Sequence, residues 1–101
     1  MLKKQYDNAA GVCIVTFTLK KEEARGADRV YLVGDFNNWS CSATPMELTS
    51  SGNFESTIRL TPEREYQFRY FIDGTRWEND WNADKYLATP HGDADNSVVI
   101  V

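Results

Sequence analysis

The stretch "EYQFRYFIDG", residues 65–74, constrains this chain most. Tyr66, Phe68, Tyr70 and Ile72 recur every second residue, which is the period of a strand and puts four large apolar side chains on one face. The dipeptide Asp73-Gly74 that follows is a hairpin turn signal, because a tight turn needs positive φ and Gly and Asp tolerate it. "TRW" then begins a return strand. "FESTIRL" at 54–60 alternates in the same way, with Phe54, Ser56, Ile58 and Leu60 opposed to Glu55, Thr57 and Arg59, and Pro62 ends it. "VCIVTFTLK" at 12–20 sets Thr16 and Thr18 against Val15, Phe17 and Leu19. "RVYLVG" at 29–34 is apolar on both faces, which predicts a central strand, and "SVVIV" closes the chain.

No segment sustains a helical period. "KEEARGAD" reads as a charged connection, at most a helical turn, and residues 78–96 read as a loop rich in Asp and Asn. Short strands separated by turn signals predict an all-β, antiparallel β-sandwich. At 101 residues there is room for one domain, taken as 11–101, with the first ten residues loose.

The same numbers exclude several functions. Net charge is −4, from 11 basic and 15 acidic residues, so a polyanion is repelled; neither nucleic acid nor an anionic membrane is expected as a partner. The two lysines near the start have no apolar run behind them, so no secretory signal is expected, and nothing approaches the length of a membrane span. Cys13 and Cys41, in such a chain, read as reduced, half-buried cytoplasmic thiols. His91 is the only histidine, and it lies in a Gly/Pro loop. No nucleophile elbow is present, and a small sandwich offers little cleft in which two carboxylates could face each other. The chain is therefore expected to be non-catalytic, with no cofactor. Asp80, Asn82 and Asp84 begin a calcium-loop pattern, but the position that requires glycine is Lys85 and the closing glutamate is His91, so these side chains read as a solvated polar loop without metal.

The three tryptophans stand apart from the other aromatics. Trp39, Trp77 and Trp81 each lie in or near a polar loop beside Asn, Asp, Glu or Arg. A sugar ring offers an apolar C–H face and a rim of hydroxyls. An indole covers the first, and amide, carboxylate and guanidinium groups bond the second. A loop tryptophan also folds inward over a sandwich edge, and for Trp81 a lid over the core stands beside the sugar-facing reading.

Taken in order, "VYLVGDFNNWS", "PMELTSSGNFESTIRL", "EYQFRYFIDGTRW" and "GDADNSVVIV" resemble the glycogen- and starch-binding modules of carbohydrate-binding family forty-eight. These include the early-set domains of branching and debranching enzymes and the glycogen-binding domain of the AMP-activated protein kinase beta subunit. The resemblance covers about Val30 to Val101. It implies an immunoglobulin-like β-sandwich of six to eight strands and binding of α-glucan. It assigns stacking platforms to Trp39 and Trp77, and hydroxyl bonding to Arg69 where the family carries lysine. It places Asn38, Asp95 and Asn96 near the hydroxyls. His91, Asp93 and Asp95 stand where the sugar-binding members carry leucine, threonine and asparagine. Trp81 is a further candidate surface. The alternative that the resemblance leaves open is a docking module for a glycoside hydrolase or other glycogen-metabolising enzyme, with no sugar binding of its own.

Overall fold

The computed structural model describes residues 1–89 and 95–101. Among the described residues, nine strands form two antiparallel sheets. The first holds β1 (Leu2–Asp7), β2 (Val12–Leu19), β5 (Phe54–Leu60) and β4 (Glu47–Leu48), in the order β1-β2-β5-β4. The second holds β3 (Val30–Gly34), β6 (Glu65–Ile72), β9 (Asp95–Ile100) and β8 (Lys85–Ala88), in the order β3-β6-β9-β8, and β7 (Arg76–Glu78) pairs with the far end of β6. The expected all-β sandwich is the fold, with β1, β4 and β8 beyond the segments read as strands.

Alternation decides what meets between the sheets. Cys13, Val15, Phe17 and Leu19 face Phe68, Tyr70 and Ile72, all buried. Phe17 meets Phe68 edge-on with ring centroids 5.0 Å apart, and Phe68 meets Tyr70 in the same manner at 5.8 Å. Such edge-to-face contacts suit the positive rim and negative face of aromatic rings. Tyr66 completes a corner at the start of β6: its hydroxyl donates to the Thr61 carbonyl and accepts from the Thr61 N–H, both at 3.2 Å. The β6–β7 turn is the one expected. Asp73 and Gly74 take φ of 52° and 70°, and the Thr75 N–H closes the turn on the Ile72 carbonyl at 3.1 Å.

Several expectations change. The first ten residues include β1, which pairs with β2 from Leu2↔Phe17 to Asp7↔Val12. The charged connection contains a single helical turn, α1 (Lys21–Ala24), whose Glu23 and Ala24 are buried. β3 is not central. It lies at one end of its strand order and is apolar on both faces because its outward Val33 is covered as completely as its inward Val30 and Leu32. The extended segment 44–46 shields its free edge, with Leu32 N–H bonded to the Thr44 carbonyl and Met46 N–H to that of Val30, each at 2.9 Å. Cys13 is in the core and Cys41 is exposed, both as free thiols, so neither is half-buried. Asp80 is not solvated. It is fully buried, accepting from the Tyr70 hydroxyl at 2.7 Å and from the Asn82 N–H at 2.8 Å. A carboxylate with that many donors belongs to the scaffold.

Candidate glycan-binding face

Strand β6 carries the core on one face, so its other residues, Gln67, Arg69 and Phe71, line the outer face of the second sheet. Register brings neighbours to them. Val33 lies opposite Arg69, Tyr31 and Trp77 lie opposite Phe71 from either side, and Val98 lies opposite Gln67. Val33 and Val98 are fully buried and form an apolar floor between the longer side chains.

Trp77 is held flat. Its indole lies on the Phe71 ring with centroids 4.4 Å apart and planes tilted by 34°, while 43% of the residue stays exposed. One ring face is supported and the other faces water. That fixes a large side chain without hiding it, the condition a stacking platform requires.

Beside it runs a polar chain. Arg69 Nε donates to Asn96 Oδ1 at 2.6 Å, and Asn96 Nδ2 donates to Gln67 Oε1 at 2.9 Å. The Gln67 backbone N–H donates to Asp35 Oδ2 at 2.7 Å, and Asp35 Oδ1 accepts from the Trp39 indole N–H at 2.9 Å. Trp39, Arg69 and Asn96 are thereby joined through Asp35 and Gln67, with Trp77 alongside on Phe71. Among the described residues, the two terminal guanidinium nitrogens of Arg69 have no hydrogen-bond or ion-pair partner, which leaves them as donors. Asp35 and Arg69 balance in charge, as suits a neutral ligand.

The turn that carries Trp39 follows from "GDFNNWS". Gly34 ends β3 where the backbone meets β6 so closely that a Cβ there would lie 2.5 Å from the Gln67 carbonyl oxygen and 2.8 Å from Phe68 Cβ. A short 3-10 turn, Asp35–Asn37, then drops Phe36 onto the core beside Phe17. The Asn37 side chain closes the loop, accepting from Gly34 N–H and donating to the Leu32 carbonyl and Thr44 Oγ1 at 2.9 to 3.1 Å. Asn38 and Trp39 both have φ of 56°. Asparagine takes this left-handed conformation readily, whereas a tryptophan is strained there by about 1–2 kcal/mol. Its N–H to the Gly34 carbonyl, at 2.9 Å, and its indole to Asp35 hold it in place. Trp39 ends half-buried at the rim, neither a core plug nor a fully open plate.

The remaining candidates separate. Asn38 is exposed beside Trp39. Asn96 faces Arg69; Asp95, one residue earlier in β9, alternates to the opposite side and offers its carbonyl to Asn79 Nδ2 at 2.7 Å. Trp81 is 54% exposed, but its indole N–H points to Glu78 Oε1 at 3.4 Å. Glu78 follows Trp77 in β7 and alternates away from Phe71, so the structure does not bring Trp81 onto the Trp77 plate. His91 and Asp93 lie outside the described residues. Asp35, Gln67 and Phe71 were not among the expected site residues. Gln67 and Phe71 were legible in "EYQFRYFI" as the positions that alternate with the core set; the Asp35 contact joins residues 32 apart and has no local signal.

Residues 16–101 match the family model described as the glycogen recognition site of AMP-activated protein kinase. The chain belongs to that family. It is a non-catalytic glycogen-recognition module. The beta-1 subunit of 5'-AMP-activated protein kinase from Homo sapiens is 44% identical over 55 residues, covering 54% of this chain and 18% of that protein. The beta-2 subunit from Mus musculus is 39% identical over 57 residues, 56% of this chain and 20% of that protein. The chain thus spans about a fifth of the length of these curated relatives. The family match begins midway along β2, at Thr16, and runs to the end of the chain, so it includes strands of both sheets.

Proposed function

We propose that an α-glucan chain binds across the outer face of the second sheet, with Trp77 as the main stacking platform and Trp39 as the rim contact. Arg69 donates to sugar hydroxyls, and Asn96 and Gln67 hold Arg69 in position while offering amide groups of their own. The observation that carries this reading is the Phe71–Trp77 stack, which fixes an indole with one face toward water next to an unpaired guanidinium end. So shallow and solvent-washed a face binds weakly, with Kd between ~1 μM and ~1 mM, or about −8 to −4 kcal/mol.

Titration with glycogen or a cyclic maltooligosaccharide, followed by tryptophan fluorescence, tests the assignment. Trp77→Ala is expected to weaken binding more than about tenfold, because a few aromatic anchors dominate contacts of this kind. Full affinity in a folded Trp77→Ala variant rejects this face. The relatives are named as kinase subunits, and a protein partner for this module is proposed on that ground alone. Docking in place of sugar binding is not favoured by a glycogen-recognition match. A partner retained in a pull-down despite excess glycogen would place the protein contact away from the glycan face.

A further inference from the structure

The outer-face aromatics do not stop at Trp77. Trp77 pairs with Phe71, and Phe71 pairs with Tyr31, so the three side chains form a row that crosses β7, β6 and β3 at right angles to the strands. With strands about 4.8 Å apart, the row extends for roughly 10 Å. At its β3 end lies an open cleft of about 510 Å³ lined by Asp28, Arg29, Tyr31, Asp73 and Gly74. That volume lies within the roughly 300–1,000 Å³ of small-ligand sites.

The cleft is rigid where it needs to be. Asp73 Oδ1 accepts the backbone N–H groups of Asp28 and Arg29, both at 2.9 Å, and the Asp73 N–H donates to the Arg29 carbonyl at 2.8 Å. These bonds lock the approach to β3 onto the β6–β7 turn. Among the described residues, the Arg29 guanidinium and the second oxygen of Asp73 have no hydrogen-bond or ion-pair partner. A half-buried phenol ring, an uncommitted guanidinium and an uncommitted carboxylate oxygen thus converge on one opening. They repeat the aromatic-plus-donor chemistry around Trp77 and Arg69, and Phe71 connects the two places.

We propose that this cleft is a second glucan subsite, which takes the sugar units of the same chain as it runs from Trp77 past Phe71 to β3. Tyr31 covers the apolar face of a glucose unit there, with Arg29 donating to its hydroxyls and Asp73 accepting from them. The assignment rests on the reading that Trp77 is the primary platform. It predicts that affinity depends on chain length through residues that a short oligosaccharide never reaches.

The test compares maltotriose, maltoheptaose and glycogen on the wild-type chain and on Arg29→Ala, Tyr31→Ala and Trp77→Ala. Arg29 is exposed, so its variant is expected to fold even if the Tyr31 variant does not. Arg29→Ala and Tyr31→Ala are expected to weaken maltoheptaose and glycogen binding about fivefold and to leave maltotriose unchanged. Backbone amide shifts of Tyr31 and Gly74 should move with maltoheptaose and not with maltotriose. If Arg29→Ala binds all three ligands as the wild type does while Trp77→Ala loses them, the second subsite is wrong and the primary platform stands. Equal losses at every length with Arg29→Ala also overturn it. If Trp77→Ala binds normally, the primary assignment fails and the subsite with it.

Discussion

Arg69 and Asn96 face each other across β6 and β9, and the guanidinium Nε donates to the amide oxygen at 2.6 Å. This contact is an orienting bond between neighbouring strands. It uses one edge of the guanidinium and aims the other outward, and Gln67 fixes the amide so that its oxygen, not its nitrogen, meets the arginine.

Asn96→Ala should therefore reduce glucan binding while leaving the fold intact. The arginine keeps its charge but loses its fixed direction and must be ordered on binding, at a cost of about 1 kcal/mol, or roughly fivefold in Kd. Isothermal titration with glycogen, alongside a thermal melt within about 3 °C of wild type, checks both halves. An Arg69→Lys variant should lose a similar amount in this chain, since the ammonium lacks the rigid planar fork that lets one bond to Asn96 fix the direction of the remaining donors.

Asp35→Ala should uncouple Trp39 from the sheet. The carboxylate bonds the indole N–H and the Gln67 backbone N–H, and without it the left-handed Trp39 has lost one of its two restraints. Stability is expected to fall by about 1–3 kcal/mol through the unpaired groups. Tryptophan fluorescence should become more accessible to an aqueous quencher, and glycogen affinity should drop. Unchanged quenching would show that the indole is held by packing alone.

Gly34→Ala should be among the most damaging single-methyl additions to the chain. Two of the atoms it meets, the Gln67 carbonyl oxygen at 2.5 Å and Phe68 Cβ at 2.8 Å, belong to the central strand and cannot swing away. The φ of −175° is extended and suits any residue, so the obstacle is contact and not backbone preference. A loss of about 2–3 kcal/mol is expected, which in a domain of this size lowers Tm by roughly 8–24 °C. Calorimetry would measure it.

Glu23 gives the domain a pH signature. Burial pushes its carboxyl above the ordinary 4.5; the bond from the Lys20 N–H and the charge of the N-terminal ammonium oppose the rise, and the nearby Asp80 charge adds to it. Its Oε2 has no hydrogen-bond partner among the described residues. The folded chain consequently holds this proton more tightly than the unfolded chain does. The stabilising contribution is fully present below about pH 4.5 and is lost as pH rises through the raised folded value. Glu23→Gln removes that dependence. Relative to wild type, the variant should gain stability as pH rises above about 4.5. Urea midpoints at several pH values test this, and a constant difference across the range would overturn it.

The core strands and the polar face of β6 were legible because each depends on neighbours two residues apart. Tyr66, Phe68, Tyr70 and Ile72 declared the buried side, and the same alternation placed Arg69 on the other. The Asp73-Gly74 turn was legible too, since its conformation is a local property of those two residues. Asp80 shows the opposite case. Nothing in "NDWNAD" says that a carboxylate there will be buried, because the donor that makes burial tolerable, the Tyr70 hydroxyl, comes from another strand. β1 and β8 were passed over for a related reason: their residues are largely exposed or half-buried, so they lack a clear apolar alternation, and pairing with β2 and β9 defines them.

By itself, then, the order of residues determined a two-sheet sandwich, its core and the family-like aromatic positions, all through side-chain periodicity and turn chemistry. Only the tertiary structure decided how those aromatics are presented. Trp77 became a supported plate because β7 lays it on Phe71, and Trp39 became a half-buried rim residue because Asp35 ties it to β6. Asn96 faces Arg69 because of strand register. Those relationships are set by interstrand distances and hydrogen bonds between residues far apart in the chain, which local sequence does not encode.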